Sequence, residues 1–272
     1  MPTSDASFTI REMASLAEYQ ACVLLQEQIW GAGFSELVPG AILRVAQKIG
    51  GVSGGAYDGN GQLAGFVFGM TGIRDGVIVH WSDMLAVRPD ARGTGLAERL
   101  KQYQRDRVRA LGATVMYWTA DPLVARNAQF NINVLGALPA EYVENMYGEN
   151  TGSTLHGAMP TDRVVYRWQL NAPPPSARNG QPHERDRDLL SAITVGADGV
   201  PRAVPTGEHR VVRVHLPNDL SQLHAAGGSS ARDWRLAVRD AFTSRLDHGF
   251  TVERFVRGVG DALPYYVMTA SA

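Results

Sequence analysis

A short turn with two glycines, residues 92–95, carries residue types suited to binding a phosphate group. Its sequence is Arg-Gly-Thr-Gly, and it follows a run typical of a strand, residues 80–87. Glycine has no Cβ, so the backbone N–H groups of such a turn can approach an anion closely. A helix predicted to begin at about Leu96 would add its own N–H groups and the positive end of its dipole. Arg92 supplies a guanidinium that matches phosphate oxygens.

The residues after the turn exclude two common phosphate-binding motifs. No Lys-Ser or Lys-Thr pair follows Gly95, so a nucleoside triphosphate loop is not indicated. The third glycine of a dinucleotide-binding turn is also missing, because Glu98 stands at that position. An isolated Gly-x-Gly turn is more often only a tight turn with structural glycines, so the neighbouring residues must support the phosphate-binding interpretation.

The remaining pattern resembles motif A of the GCN5-related N-acetyltransferase (GNAT) superfamily, written Gln/Arg-x-x-Gly-x-Gly/Ala. Arg92, Gly95 and Ala97 fill its defined positions. The resemblance implies binding of acetyl-CoA or another acyl-CoA, without a metal. The strand before the turn would offer backbone hydrogen bonds to pantetheine, and the turn would hold the pyrophosphate. The residues assigned to the cofactor in this way are Leu85, Ala86, Val87, Arg92, Gly93, Thr94, Gly95, Leu96 and Ala97.

A second segment, residues 127–137, is similar to motif B of the same superfamily. Asn127 lies in a predicted helix of residues 123–135, which Gly136 is expected to end. The resemblance makes Asn127 a side-chain contact to the cofactor. Ala137 stands where the superfamily usually has an aromatic residue. The wider sequence is similar to a subgroup of predicted acetyltransferases with an extended C-terminal region.

Transfer of an acyl group to an amine requires a base for the ammonium and a proton for the leaving thiolate. Asp83, just before the pantetheine segment, is the candidate base. A polar strand-end residue bonded to a neighbouring loop is the equally acceptable interpretation. His80 would face the opposite side of a regular strand and is more typical of a structural histidine.

The proton donor departs from the pattern of the superfamily. In many relatives a tyrosine lies four residues before the motif B glycine, and here that position is Ile132. Tyr142 and Tyr147 are the candidate donors, within a segment predicted to be an irregular loop, residues 139–157. The competing interpretation is that these tyrosines pack as an apolar ring.

Two helices are predicted in detail. Ser15 is a plausible N-cap for a helix of residues 16–30, with Glu18 completing a capping box. The helix after the glycine turn is predicted to carry a solvated basic face. The residues on that face are Lys101, Arg105 and Arg109.

The order of elements over residues 8–140 is strand, two helices, three strands, helix, strand and helix, which the resemblance also implies. The fold class is therefore α/β (α+β), with a mixed, mostly antiparallel sheet flanked by helices. We predict a GNAT domain at residues 1–170, a linker or irregular excursion at 171–207, and a C-terminal α+β subdomain at 208–272. The C-terminal subdomain repeats the order of elements found at the beginning of the chain, which is compatible with a degenerate GNAT-like half.

Charge and composition favour a small-molecule partner. The formal net charge is −1, which argues against nucleic-acid or anionic-membrane binding. The single cysteine, Cys22, cannot form an intramolecular disulfide and is predicted to be buried. The histidines lack ligand-like spacing, so no metal is expected. Without a predicted signal peptide or membrane span, a cytoplasmic location is expected.

The residues and the resemblance together predict an acyl-CoA-dependent N-acyltransferase. The acyl group is expected to be acetyl, with succinyl as an alternative. The acceptor would be a small amine or amino acid that attacks the thioester directly. The missing motif B tyrosine keeps open a second reading, a non-catalytic protein that binds or senses acyl-CoA. A homodimer is compatible with either prediction.

Overall fold

The computed structural model divides into two compact units. It describes residues 7–148, 151–153, 159–175, 180–225, 229–258, 260 and 262–271. The first unit comprises Met1–Trp118, Asn150–Gly157 and Gln169–Ala172. The second comprises Thr119–Glu149, Ala158–Trp168 and Pro173–Ala272. The domain boundaries predicted at residues 170 and 207 stay predictions.

Five strands lie side by side in chain order in the first unit. They are β1 (Thr9–Glu12), β2 (Val52–Tyr57), β3 (Leu63–Arg74), β4 (Val77–Val87) and β5 (Val115–Ala120). All neighbours are antiparallel except β4 and β5, which are parallel. The predicted fold class, a mixed and mostly antiparallel sheet flanked by helices, is confirmed.

Three helices pack on these strands. They are α1 (Leu16–Trp30), α2 (Gly40–Lys48) and α3 (Leu96–Arg109). α1 and α2 share an apolar core with β3 and β4, whose fully or nearly buried members include Cys22, Leu25, Leu43, Phe66, Phe68 and Met84. Burial raises the pKa of the Cys22 thiol to about 12, so the thiol stays neutral. The predicted burial of this cysteine is confirmed.

The capping box predicted at the start of α1 is present. The Ser15 side chain accepts a hydrogen bond from the Glu18 N–H at 3.2 Å, and the Glu18 carboxylate accepts from the Ser15 N–H at 3.2 Å. Arg11 donates to the same carboxylate at 2.6 Å. The Arg11 bond, with help from the backbone donors, lowers the pKa of Glu18 to about 2.

The second unit contains the remaining elements. They are α4 (Ala125–Ala128), a π-helical continuation Gln129–Leu135, β6 (Leu138–Val143), β7 (Arg163–Gln169), a short 3-10 helix Glu184–Asp188, β8 (Leu190–Ser191), β9 (Ile193–Val195), β10 (Pro201–Ala203), β11 (Val211–His215), α5 (Leu220–Ala225), α6 (Ser229–Asp247), β12 (Phe250–Val256) and β13 (Tyr265–Ala270). β6 and β7 form an antiparallel pair, β9 and β10 another, and four strands form a sheet in the order β12-β13-β11-β8.

Three predictions for this part of the chain need correction. β6 lies in the segment predicted to be irregular. The strand is hard to recognise in the sequence because Pro139 and the register shift beside it interrupt the alternating pattern. The expected linker holds short strands of two or three residues, too short for visible alternation. In the C-terminal sheet β13 lies between β11 and β12, whereas β2 lies between β1 and β3. The proposed repeat therefore does not extend to strand order.

No helix among the described residues is long and apolar enough to cross a membrane.

Replacing Glu18 by Gln should remove a pH-dependent part of the stability. The pKa of Glu18 falls from its usual 4.5 to about 2 on folding, so its contribution is present above pH 4.5 and is lost as the pH falls towards 2. Arg11 is about half exposed, and screening reduces the contribution to about 1 kcal/mol. Urea unfolding at pH 7 should show this loss, and the gap between variant and wild type should close towards pH 2. A gap that does not vary with pH would contradict the assignment.

Candidate active site

Both glycines of the turn have a backbone conformation that favours glycine. Gly93 and Gly95 have φ of 81° and 77°, the left-handed region that other residues disfavour. A Cβ at either position would meet no atom within 4 Å, so conformation rather than crowding requires glycine. The space above the turn is open.

The first turn of α3 presents hydrogen-bond donors. Its first backbone bond outside the regular helix ladder runs from the Arg99 N–H to the Gly95 carbonyl at 3.2 Å, so the preceding N–H groups have no helical acceptor. Thr94 ties the turn back through a 2.8 Å bond to the Ala91 carbonyl. Arg92 Nε lies 3.3 Å from the Val87 carbonyl, at the end of β4. This arrangement is suited to a pyrophosphate.

β4 offers a backbone edge beside this turn. On one side residues 85–87 pair with β3, where Val67 lies opposite Leu85. On the other side the described pairing with β5 covers residues 79–81, and residues 85–87 extend beyond it. A strand edge of this kind can bond the amides of an extended ligand. Residues 85–87 therefore have a described strand partner on the β3 side only.

Asp83 lies at a β-bulge in β4. Ser82 pairs with Gly69, and the next paired residue of β4 is Met84, so Asp83 has no partner in β3. Bulges redirect side chains and are common beside active sites. The side chain is accessible, yet desolvation by the surrounding protein raises the pKa of its carboxyl, and the charge of Glu36 adds to the effect. A raised pKa improves a carboxylate as a general base near neutral pH.

His80 is a structural histidine. Its side chain is 0% exposed and hydrogen-bonds to Thr71 and Gln104, each at 3.0 Å. Burial, followed by the charge of Lys101, lowers its pKa to about 3, so the ring is neutral at physiological pH. His80 is therefore inaccessible to a substrate.

The prediction of a solvated basic face on α3 is wrong for Lys101. This side chain is 2% exposed, and its Nζ donates to Ser82 Oγ at 2.9 Å. Arg105 is half-buried and Arg109 is exposed. Gln104 is also fully buried, so α3 buries a wider stripe than its apolar residues alone indicate.

The two candidate tyrosines have different surroundings. Tyr142 donates to Asp162 at 2.7 Å, and burial together with that negative charge raises the pKa of the phenol. Its proton is thus held by the protein. Tyr147 is half-buried, and its hydroxyl lies 2.9 Å from Thr119 Oγ1. The Tyr147 ring stacks against the guanidinium of Arg163, 5.1 Å from the ring centroid.

The motif B segment ends at its predicted glycine, but it has no proton donor at the position where relatives carry tyrosine. Gly136 ends the π-helical segment with φ of 76°, as predicted. Ile132, at the position where relatives carry tyrosine, is 2% exposed and so supplies only apolar packing. Ala137 is fully buried. Asn127 is half-buried on α4.

The sequence analysis missed a cluster of buried ion pairs in the second unit. Arg235 binds both oxygens of Asp121 at 2.7 and 2.6 Å, and Arg239 binds both oxygens of Asp162 at 2.8 and 2.7 Å. Arg163 also lies 4.0 Å from Asp121. Burial favours protonated Asp121, but the Arg235 charge and hydrogen bonds outweigh it and lower the pKa. The signal available in the sequence was the spacing of four residues between the two arginines on one helix.

The structure brings some of the predicted site residues together. Asp83, the strand segment 85–87 and the turn 92–97 lie in the first unit, on β4 and at the start of α3. Asn127, Tyr142 and Tyr147 lie in the second unit. No group of three or more His, Cys, Asp or Glu residues suited to a metal occurs among the described residues.

No protein-family model matches the chain, and no curated protein matches it. Solved acetyltransferases, however, are similar in structure. A putative acetyltransferase from Acinetobacter baylyi has 18% identity and a TM-score of 0.49, covering 62% of this chain and 96% of that one. The ribosomal-protein-S18-alanine N-acetyltransferase from Escherichia coli has 17% identity and a TM-score of 0.48, covering 61% and 96%. The putative acetyltransferase yncA from Salmonella typhimurium, solved with acetyl-CoA, has 19% identity and a TM-score of 0.46, covering 63% and 99%.

The ion pair between Asp121 and Arg235 should contribute strongly to the stability of the second unit. Replacing Arg235 by Met removes both hydrogen bonds from the Asp121 carboxylate and leaves only Arg163, 4.0 Å away, so the loss should cost about 3 kcal/mol. Urea unfolding should show this decrease in the free energy of unfolding. Arg232, exposed on the same helix, is the matched control, and Arg232→Met should change stability by less than about 0.5 kcal/mol. Equal effects of the two substitutions would contradict the assignment.

Proposed function

We propose that this chain is an N-acyltransferase that uses acetyl-CoA or another acyl-CoA and acts on a small amine. The observation that carries the proposal is a single arrangement in the first unit. A donor-rich turn at the start of α3 lies beside the backbone edge of residues 85–87, and β4 places the accessible Asp83 just before that edge. The pyrophosphate would lie at the turn, the pantetheine along residues 85–87 and the reacting thioester near Asp83.

Asp83 is proposed as the base. A substrate ammonium must lose a proton before its nitrogen can attack the thioester carbonyl, and the raised pKa of Asp83 suits this transfer. The proton passes to the carboxylate directly or through one water. The amine nitrogen then forms the new C–N bond and loses its second proton to solvent, and the C–S bond breaks to release the CoA thiolate. His80 is too deeply buried to serve.

Tyr147 is proposed as the source of the proton for the leaving thiolate. Its hydroxyl shares a hydrogen bond with Thr119 and is half-buried, whereas the Tyr142 proton is held by Asp162. Tyr147→Phe keeps the ring and removes only the hydroxyl. Solvent is the alternative source, and in that case Tyr147→Phe would keep the wild-type kcat.

The decisive experiment separates transfer from binding. Purified protein is incubated with acetyl-CoA or succinyl-CoA and a panel of small amines and amino acids, and free thiol is measured. Thiol release that depends on the amine supports the proposal, and the better thioester identifies the acyl group. Binding of CoA without any release supports the alternative, an acyl-CoA sensor, which the buried Ile132 at the tyrosine position favours. Failure of every thioester to raise the melting temperature would contradict both.

Replacing Gly95 by Ala should weaken CoA binding. The left-handed φ of 77° costs a residue with a Cβ about 1–2 kcal/mol, so the turn is expected to rearrange. The Kd for CoA, measured by calorimetry, should rise about tenfold. Gly59→Ala is the matched control, since Gly59 lies in the turn between β2 and β3 with no atom within 4 Å of an added Cβ. Unchanged affinity in Gly95→Ala would argue against a pyrophosphate site at this turn.

Replacing Asp83 by Asn should lower kcat about a hundredfold, the usual contribution of a general base. In the wild type kcat/KM should fall as the pH drops through the raised pKa of Asp83, because protonation removes the base. The variant should lose this acidic limb. Asp75→Asn is a suitable control, because Asp75 is exposed at the β3–β4 turn and Asn tolerates its φ of 53°. An unchanged pH–rate profile in Asp83→Asn would exclude this role.

A further inference from the structure

Lys101 is a buried lysine in an unusual setting. Its Nζ lies 2.9 Å from Ser82 Oγ, 3.3 Å from Gln104 Oε1 and 3.5 Å from Met116 Sδ, and 3.8 Å from the centroid of the Trp118 ring. Among the described residues it forms no ion pair, and burial lowers its pKa well below the usual range. An apolar side chain at this site would avoid the cost of burying an amine.

The amine is one end of a continuous chain of buried hydrogen bonds. Thr71 donates to the Gly50 carbonyl at 2.6 Å, so its hydroxyl oxygen is left to accept from His80 Nδ1 at 3.0 Å. His80 Nε2 then accepts from the Gln104 amide at 3.0 Å, and Gln104 Oε1 accepts from Lys101. This assignment of donors satisfies every member of the chain. The polar network is therefore complete, which favours one fixed arrangement.

The network meets β4 at its bulge. Ser82, which receives the Lys101 bond, immediately precedes the unpaired Asp83. The β3 partner of Ser82 is Gly69. A Cβ on Gly69 would lie 2.7 Å from Gln104 Nε2 and would collide with the His80 ring. The glycine thus leaves room for the network under the bulge. Because Asp83 has no backbone partner in β3, the hydrogen bond from Lys101 to the Ser82 side chain restrains β4 here in addition to the backbone pairing of Ser82.

Lys101 also belongs to the helix that begins at the glycine turn. It lies five residues after Leu96, within the same rigid α3. The bond between Lys101 and Ser82 therefore connects the turn assigned to pyrophosphate with the strand that carries the candidate base. A displacement of reacting groups by about 1 Å can cost about a hundredfold in rate.

We propose that Lys101 is a positioning residue, whose bond to Ser82 holds the β4 bulge and sets the place of Asp83 relative to the turn at the start of α3. This inference rests on the proposed N-acyltransferase function. Its mechanical part, the restraint of the bulge, stands independently of activity.

The experiment compares Lys101→Met, Ser82→Ala and the double variant. Met keeps the length and the apolar contacts of the side chain but has no donor. Each single variant should lower kcat at least about tenfold, with the KM for acetyl-CoA changed less than about twofold because the turn is intact. The double variant should be no slower than Lys101→Met, since both changes break the bond between Lys101 and Ser82 and Lys101→Met also removes the bond to Gln104. Lys48→Met, at the exposed second lysine, should match the wild type.

Two further measurements separate positioning from a general loss of structure. The melting temperature of Lys101→Met should stay within a few degrees of that of the wild type, because relief of the buried amine offsets the donor that Ser82 and Gln104 lose. Hydrogen exchange of the peptide covering residues 81–87 should be faster in Lys101→Met and in Ser82→Ala, with or without acyl transfer.

Wild-type kcat in Lys101→Met, additive losses in the double variant, or unchanged exchange at residues 81–87 would each overturn the proposal. Absence of acyl transfer in the wild type would instead contradict the proposed function, and the exchange measurement would still test the restraint.

Discussion

The β-bulge in β4 is the constraint on which the candidate site depends. Where Asp83 loses its partner in β3, the strand must be held by something else, and the Ser82 side chain bonded to α3 provides that hold. The same helix begins at the glycine turn. In the proposed site, one irregularity in the sheet would therefore set where the Asp83 carboxylate, the strand edge of residues 85–87 and the glycine turn stand relative to each other.

Much of the first unit follows from local sequence signals. Ser15 and Glu18 specify a capping box, and both of its bonds form. Gly93 and Gly95 indicate a tight turn before a helix at about Leu96, and that helix begins at Leu96, with both glycines in the left-handed region. These predictions succeed because each depends on a few adjacent residues and on backbone geometry that only certain side chains permit.

The charged residues whose surroundings the sequence did not predict share one cause, because each depends on residues distant in the chain. Lys101 is buried because Ser82 and Trp118 surround it, and its own helix gives little sign of that. Asp121 forms an ion pair with Arg235, more than a hundred residues later in the chain, and Asp162 forms one with Arg239. Charged side chains are normally exposed, so a sequence-based interpretation assigns them to solvent unless the partner is known.

Burial of Lys101 also has a consequence for the protein's own chemical vulnerability. The chain contains 26 Lys and Arg residues, of which only Lys48 and Lys101 are lysines. Thioesters acylate neutral amines, and guanidinium groups do not share that reactivity because they stay protonated. With Lys101 enclosed in the core, Lys48 is the one lysine side chain that an electrophile in solvent can reach. A protein that bound activated acyl groups would therefore have few lysine side chains that those groups could acylate.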